Sequence, residues 1–188
     1  DCVKMENVER LFDKAERGDD FEEVRDRLIM LMLFTTGIRR GELVGLRDRD
    51  VSANELKVHG KRNKDRIVPF GPELSEEIAN YRAIRAAQVG ETEMFFVRSN
   101  GEAVYPTLVY RLVHKELSEV GGCSRYSPHV LRHTFASAML NNGAQLNSVK
   151  ELLGHESLAA TQVYTHITHR ELKSNYEHAH PRALKKGG

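Results

Sequence analysis

The sequence predicts an α+β fold that is mainly α-helical, with a small three-stranded antiparallel sheet at one side. Three observations lead there. Apolar residues recur at helical spacing over most of the 188 residues. Two short runs, LKVHG at 56–60 and RIVPF at 66–70, flank the polar turn KRNKD and read as a hairpin. A third short run, MFFV at 94–97, is closed by Ser99-Asn100-Gly101 and reads as one more strand.

The elements follow in order. Val3, Met5, Val8, Leu11 and Phe12 have helical spacing over residues 3–16. Residues 22–36 predict a buried helix, apolar on most sides at its centre and broken at Gly37, with a short helix from about 40 to 46 after it. Helices are expected again over 73–87 and 107–120, the second ended by Gly121-Gly122. From 128 on, short helices are separated by glycines at 143 and 154. No internal repeat or low-complexity segment interrupts this pattern.

A chain of this length forms one domain with a real core. The net charge is +1, but the charge is polarised. Residues 1–26 hold ten acids against five bases, read here as a solvated surface. Residues 57–66 hold five bases against one acid, and residues 123–188 hold eight Lys or Arg against four Glu, with seven of the nine histidines. A basic middle and end suit a polyanionic partner. Cys2 and Cys123 form no CxxC pair and suggest no disulfide framework, which fits a reducing, cytoplasmic setting. The longest apolar run, LIMLMLF at 28–34, is too short to span a membrane. No signal peptide opens the chain, and its first residues read straight into a helix, so the chain is expected to start inside a longer protein.

The stretch SPHVLRH at 127–133 concentrates unusual chemistry. Ser127 suits an N-cap, Pro128 suits the first helical position, and His129 and Arg132 follow one turn apart. A helix start has unpaired N–H groups and positive potential, and an arginine can fork onto two phosphate oxygens. The set therefore fits an anion site, although capping and local pairing account for it equally well. A metal site is the weaker reading: His129 and His133 have HxxxH spacing, but Val130 stands where a zinc protease needs Glu. In TTGIRRGEL at 35–43, Arg39 emerges beside an apolar helix and needs a partner, either Glu42 or an external phosphate. The hairpin turn places Lys61, Arg62 and Lys64 at its tip, where they can reach a groove or keep an edge soluble. In LLGHESLAATQVYTH at 152–166, His155 follows a helix-ending glycine, Ser157 can cap the next helix, and Tyr164 lies among polar neighbours.

Together these motifs, with GKRNKDRIVPF and the tail HAHPRA, resemble the catalytic domain of tyrosine recombinases of the phage-integrase family, most closely the Xer-type members that resolve circular chromosome dimers. They run in the family's order from 35 to 182. The resemblance implies the fold of that catalytic domain. It also implies Arg39, Lys61, His129, Arg132, His155 and Tyr164 as catalytic residues, with Glu42 supporting and His133 structural. Arg62 stands where such hairpins often have glycine, which leaves open whether Lys61 or Lys64 serves the leaving group. DNA contacts are expected at Arg40, Arg62, Lys64 and Arg66. A DNA-clamping domain is expected before residue 1, and residues 169–188 are expected to dock on a neighbouring protomer.

The implied reaction is attack by Tyr164 on a DNA phosphodiester, giving a 3′-phosphotyrosine and a free 5′-hydroxyl, then reversal by another strand's hydroxyl. The bond energy stays in the protein–DNA link, so no cofactor or metal is implied. The partners implied are double-stranded DNA at a specific site and further copies, or a paralogue, in a tetrameric synaptic complex. The biological setting would be chromosome dimer resolution or mobile-element integration and excision. Two other readings remain: a helix-turn-helix regulator built on residues 146–164 without catalysis, and a type IB topoisomerase-like relaxing enzyme.

Overall fold

The computed structural model describes residues 4–13, 18–122, 125–154 and 179. Among these residues the chain forms seven α-helices and one two-stranded sheet. They are α1 (Met5–Asp13), α2 (Phe21–Thr36), α3 (Arg40–Val44), β1 (Glu55–His59), β2 (Asp65–Pro69), α4 (Pro72–Val89), α5 (Pro106–Val120), α6 (Pro128–Asn141) and α7 (Leu146–Leu153).

Helix α2 is the axis of the fold. Asp20 caps its start by accepting from the N–H groups of Glu22 and Glu23, at 3.1 and 3.3 Å. Every residue from Leu28 to Thr36 is buried, so the helix is covered all round, with α4 and α6 among its neighbours. Each large apolar side chain here contributes about 1.5–3 kcal/mol by leaving water. The helix stops at Gly37, whose φ of 68° is left-handed and whose N–H bonds the Leu33 carbonyl. A Cβ at Gly37 would lie 2.5 Å from Phe135 Cδ1 and 2.7 Å from Leu153 Cδ2. Helices α6 and α7 thus press directly on the end of α2, and glycine is needed there on both counts.

The hairpin pairs β1 with β2 antiparallel, Val58 opposite Arg66 and Leu56 opposite Val68. Leu56, Val58 and Val68 are buried, while Lys57 and His59 between them face out, the period of two that anchors one face. The expected third strand does not join this sheet. Met94 and Val97 make only isolated bridges, to Arg47 and Ala103. The reason is packing. Phe95 and Phe96 are consecutive and both fully buried, whereas a strand would send them to opposite faces. They meet edge to face at 4.7 Å and both contact Tyr81 of α4. The Tyr81 hydroxyl donates to the Phe95 carbonyl and accepts from the Val97 N–H, so the segment is fixed to a helix instead of a ladder. Elsewhere the described helices fall within a few residues of expectation, and those expected after Gly154 lie outside the described residues. None of the described helices is long and apolar enough to cross a membrane.

Candidate active site

Helix α6 begins where the sequence implies, with Ser127 at the cap position in extended geometry and Pro128 in its first turn, although the Ser127 side chain makes no capping hydrogen bond. His129 and His133 are exposed, whereas Arg132 is only 7% exposed. Its guanidinium points back into the protein. Nη1 donates to the Gly37 carbonyl at 2.6 Å and Nη2 to the Leu153 carbonyl at 2.5 Å. Both acceptors sit at helix C-termini, where carbonyls lack intrahelical donors and the dipole favours a cation. Burial, then the charges of Arg39 and Arg66, pull the Arg132 pKa down to about 10, against an opposing contribution from Glu42. At that value roughly one guanidinium in a thousand is neutral at pH 7, so Arg132 remains a cation.

Arg39 lies just before α3 with its side chain 40% exposed. Glu42, on the first turn of that helix, accepts from the Arg39 N–H at 2.8 Å and lies 3.8 Å from Arg39 Nη1. The stronger partner of Glu42 comes from the hairpin. Arg66 Nη1 and Nη2 fork onto its two carboxylate oxygens at 2.5 and 2.9 Å. Burial raises the Glu42 pKa, but the hydrogen bonds and charge of Arg66, helped by Arg39, outweigh it and hold the group below the usual carboxylate range.

Arg66 also donates Nε to the Leu152 carbonyl at 2.8 Å, and its side chain is 10% exposed. Where the sequence suggested a DNA contact, Arg66 turns into the protein. The strand pairing carried the signal, because Arg66 sits opposite inward-facing Val58 and two residues before buried Val68. Counting its charge with the turn obscured it. Glu42 thus faces Arg66 and Arg39. The Arg40 guanidinium lies 5.9 Å from the centre of the Tyr110 ring on α5.

Lys61, Arg62 and Lys64 occupy the exposed hairpin tip. Lys61–Asn63 form a single 3-10 turn in which Arg62 and Asn63 have φ of 59° and 55°. The root is tight: a Cβ on Gly60 would lie 2.8 Å from the Lys64 carbonyl oxygen and 3.7 Å from both Arg66 Nη1 and Glu42 Oε2. The hairpin that bears Lys61 therefore starts against the Arg66–Glu42 pair. Among the described residues no group of three or more His, Cys, Asp or Glu is placed to hold a metal ion. His155, Tyr164 and the proposed docking tail at 169–188 lie outside the described residues, apart from Ala179, which is buried.

From widely separated positions, Arg39, Glu42, Arg66 and Arg132 converge on the ends of α2 and α7. A family model described as the phage integrase family matches residues 2–171. The chain belongs to the phage integrase family. It is 41% identical to the tyrosine recombinase XerC of Chlorobaculum tepidum over 97% of this chain and 62% of that protein. Among solved structures, the XerA recombinase matches with a TM-score of 0.72 and 29% identity, over 97% of this chain and 64% of that one. A XerH site-specific recombinase bound to its difH substrate, a pre-cleavage complex, matches with a TM-score of 0.71 and 25% identity, over 88% of this chain and 50% of that one. The fold is that of a tyrosine recombinase catalytic domain. This phage integrase family chain spans about six tenths of the length of the curated relatives it matches.

Proposed function

We propose that the chain is the catalytic domain of a site-specific DNA recombinase, and that it cleaves and rejoins strands through a 3′-phosphotyrosine. The observation that carries this reading is the placement of Arg132. Its guanidinium is fixed by two helix-terminal carbonyls and remains charged close to Arg39. Fixed positive charge is what the pentacoordinate transition state demands, because negative charge builds on the nonbridging oxygens of the phosphate. Preorganised donors supply that stabilisation without reorganising during the reaction.

In this mechanism Arg39 and Arg132, with His155 as a further donor, hold the nonbridging oxygens. Tyr164 attacks phosphorus in line with the leaving 5′-oxygen. Only roughly one tyrosine in a thousand is ionised at pH 7 without help, so a base is needed, and exposed His129 at the head of α6 takes the phenolic proton. Lys61 or Lys64 at the hairpin tip gives a proton to the leaving oxygen. The second half reverses each transfer, with a hydroxyl from another strand displacing the phenol. Arg40, Arg62 and Lys64 contact the DNA backbone, so affinity falls steeply with salt. The protein works in the cytoplasm as four protomers on two DNA sites. The tail at 169–188 reaches a neighbouring protomer. The DNA-bound state of the XerH relative supports the choice of substrate.

The test is incubation with a nicked suicide duplex followed by a denaturing gel. A covalent protein–DNA adduct that disappears in Tyr164→Phe is expected, and chelator should leave it intact. Specific binding with no adduct under any condition would replace this reading with that of a regulator. Two duplex sites should yield exchanged strands, whereas relaxation of supercoils without exchange would make the protein a topoisomerase.

A further inference from the structure

We infer that Arg66 is a positioning residue for strand cleavage: it locks the carboxylate that supports Arg39, the hairpin that bears Lys61 and the end of α7 into one unit. This rests on the recombinase reading above. Arg66 is not a contact to DNA, although it follows directly on the basic turn.

The geometry makes the case in three steps. The first is its reach. One planar group joins segments far apart in sequence: two nitrogens bind the Glu42 carboxylate and the third binds the Leu152 carbonyl. Only a guanidinium offers donors in that fixed fork, and a lysine ammonium cannot serve a carboxylate edge-on and a carbonyl at once.

The second step is what lies at each end. Glu42 bonds the Arg39 backbone N–H. Leu152 immediately precedes Leu153, whose carbonyl holds Arg132. Arg66 and Arg132 therefore grip successive carbonyls at the end of α7, two residues before His155. The fit is close. A Cβ at Gly154, where φ is 68°, would lie 2.8 Å from Arg66 Nη1 and 3.0 Å from its Cζ. On the other side Gly60, next to Lys61, packs against both Arg66 and Glu42. Gly154 thus makes room for this guanidinium, while Gly60 is confined by the Lys64 carbonyl oxygen, 2.8 Å from where its Cβ would be.

The third step is charge. Glu42 is buried between two arginines, and Arg66 holds it bidentately while Arg39 Nη1 stands off at 3.8 Å. That division leaves Arg39 available to a phosphate. With Arg66 gone, the carboxylate would turn to Arg39 and compete with the substrate, and the α7 carbonyls would lose one of their two clamps. The rate should fall while DNA affinity holds.

Arg66→Gln and Arg66→Lys test this, read by single-turnover cleavage of saturating suicide substrate, by the salt dependence of DNA affinity and by thermal unfolding. Arg66→Gln should cleave about 100-fold more slowly, the scale of a misplacement near 1 Å, with an unchanged slope of log affinity against log salt. Arg66→Lys should stay folded and still cleave about 10-fold more slowly, because it restores charge without the fork. Should the Gln variant fail to fold, the Lys variant decides by the same criterion. Cleavage by a folded variant within twofold of the parent overturns the inference. So does a loss confined to affinity with a slope about 0.9 smaller, the mark of one phosphate contact. If the parent protein itself forms no adduct, the recombinase reading has failed; an adduct undiminished in both variants defeats Arg66 alone.

Discussion

The two cationic regions of this domain are built in opposite ways. Arg132 is buried and Arg66 largely shielded, and their donors are committed to backbone carbonyls and one carboxylate. At the hairpin tip Lys61, Arg62 and Lys64 are exposed, on a turn that takes two consecutive non-glycine residues into left-handed geometry. The contrast matches the two tasks proposed for these regions. Stabilising a developing charge requires groups that do not move, since reorganisation would consume the gain. Delivering a proton to a leaving group, and meeting DNA that must arrive and depart, suits a side chain on a projecting turn.

The sharpest attempt to break this contrast is Arg132→Ala. It should reduce cleavage roughly 10³–10⁵-fold, by analogy with other phosphoryl-transfer arginines. It should also destabilise the fold, because the Gly37 and Leu153 carbonyls each lose a buried donor at about 1–3 kcal/mol apiece. Single-turnover kinetics and urea unfolding would show both losses. A substrate with a better leaving group should not rescue it.

Lys61→Ala and Lys64→Ala probe the other region. The true proton donor should lose about 10²–10⁴-fold on the natural substrate and recover with the better leaving group. The other lysine should change little beyond DNA affinity. Rescue of neither would remove the tip from the chemistry.

Gly37→Ala tests the fixed side through the backbone. A left-handed alanine costs about 1–2 kcal/mol, and crowding Phe135 and Leu153 adds about 1–3 kcal/mol. Chemical denaturation should show a lower midpoint, with cleavage reduced because Gly37 supplies a carbonyl to Arg132. The reverse change belongs at the tip: Arg62→Gly should relieve left-handed strain and raise stability by less than about 1 kcal/mol, seen as a small rise in Tm.

The smallest effect concerns pH. His59, at the end of β1, bonds Asp50 at 3.0 Å and Asp65 at 2.8 Å, and these carboxylates hold its pKa above the ordinary imidazole value. A raised native pKa means that the bound proton favours the folded state. The contribution is complete below the unfolded value of about 6.5 and fades as pH climbs through the native one. Hairpin amides should therefore exchange faster above that range, and His59→Gln should flatten the dependence. The effect should be modest and salt-sensitive, because the ring is nearly half exposed.

Much of this was legible in the sequence because it is local. Helix bounds followed from periodicity and from Gly37, Gly121 and Gly154, and the hairpin from its turn. Arg39, Glu42, His129 and Arg132 stood out by motif. What escaped was non-local. That Arg132 would bind a carbonyl 95 residues away depends on how α2, α6 and α7 pack, which no window of sequence contains. The third strand failed because Phe95 and Phe96 are claimed by Tyr81, a tertiary contact that overrides strand propensity. Arg66 is the instructive miss. Its charge put it with the tip, but its parity with Val58 and Val68 already pointed inward.

The two carbonyls that steady Arg132 belong to residues 37 and 153, so the cutting centre cannot be assembled piecemeal. During synthesis the ribosome delivers the first arginine long before the second, and later still the leucine that helps to seat it. A nascent or proteolysed polypeptide should then have no nuclease capability of its own. A DNA-cleaving enzyme of the kind proposed would thereby stay harmless until its whole architecture is in place.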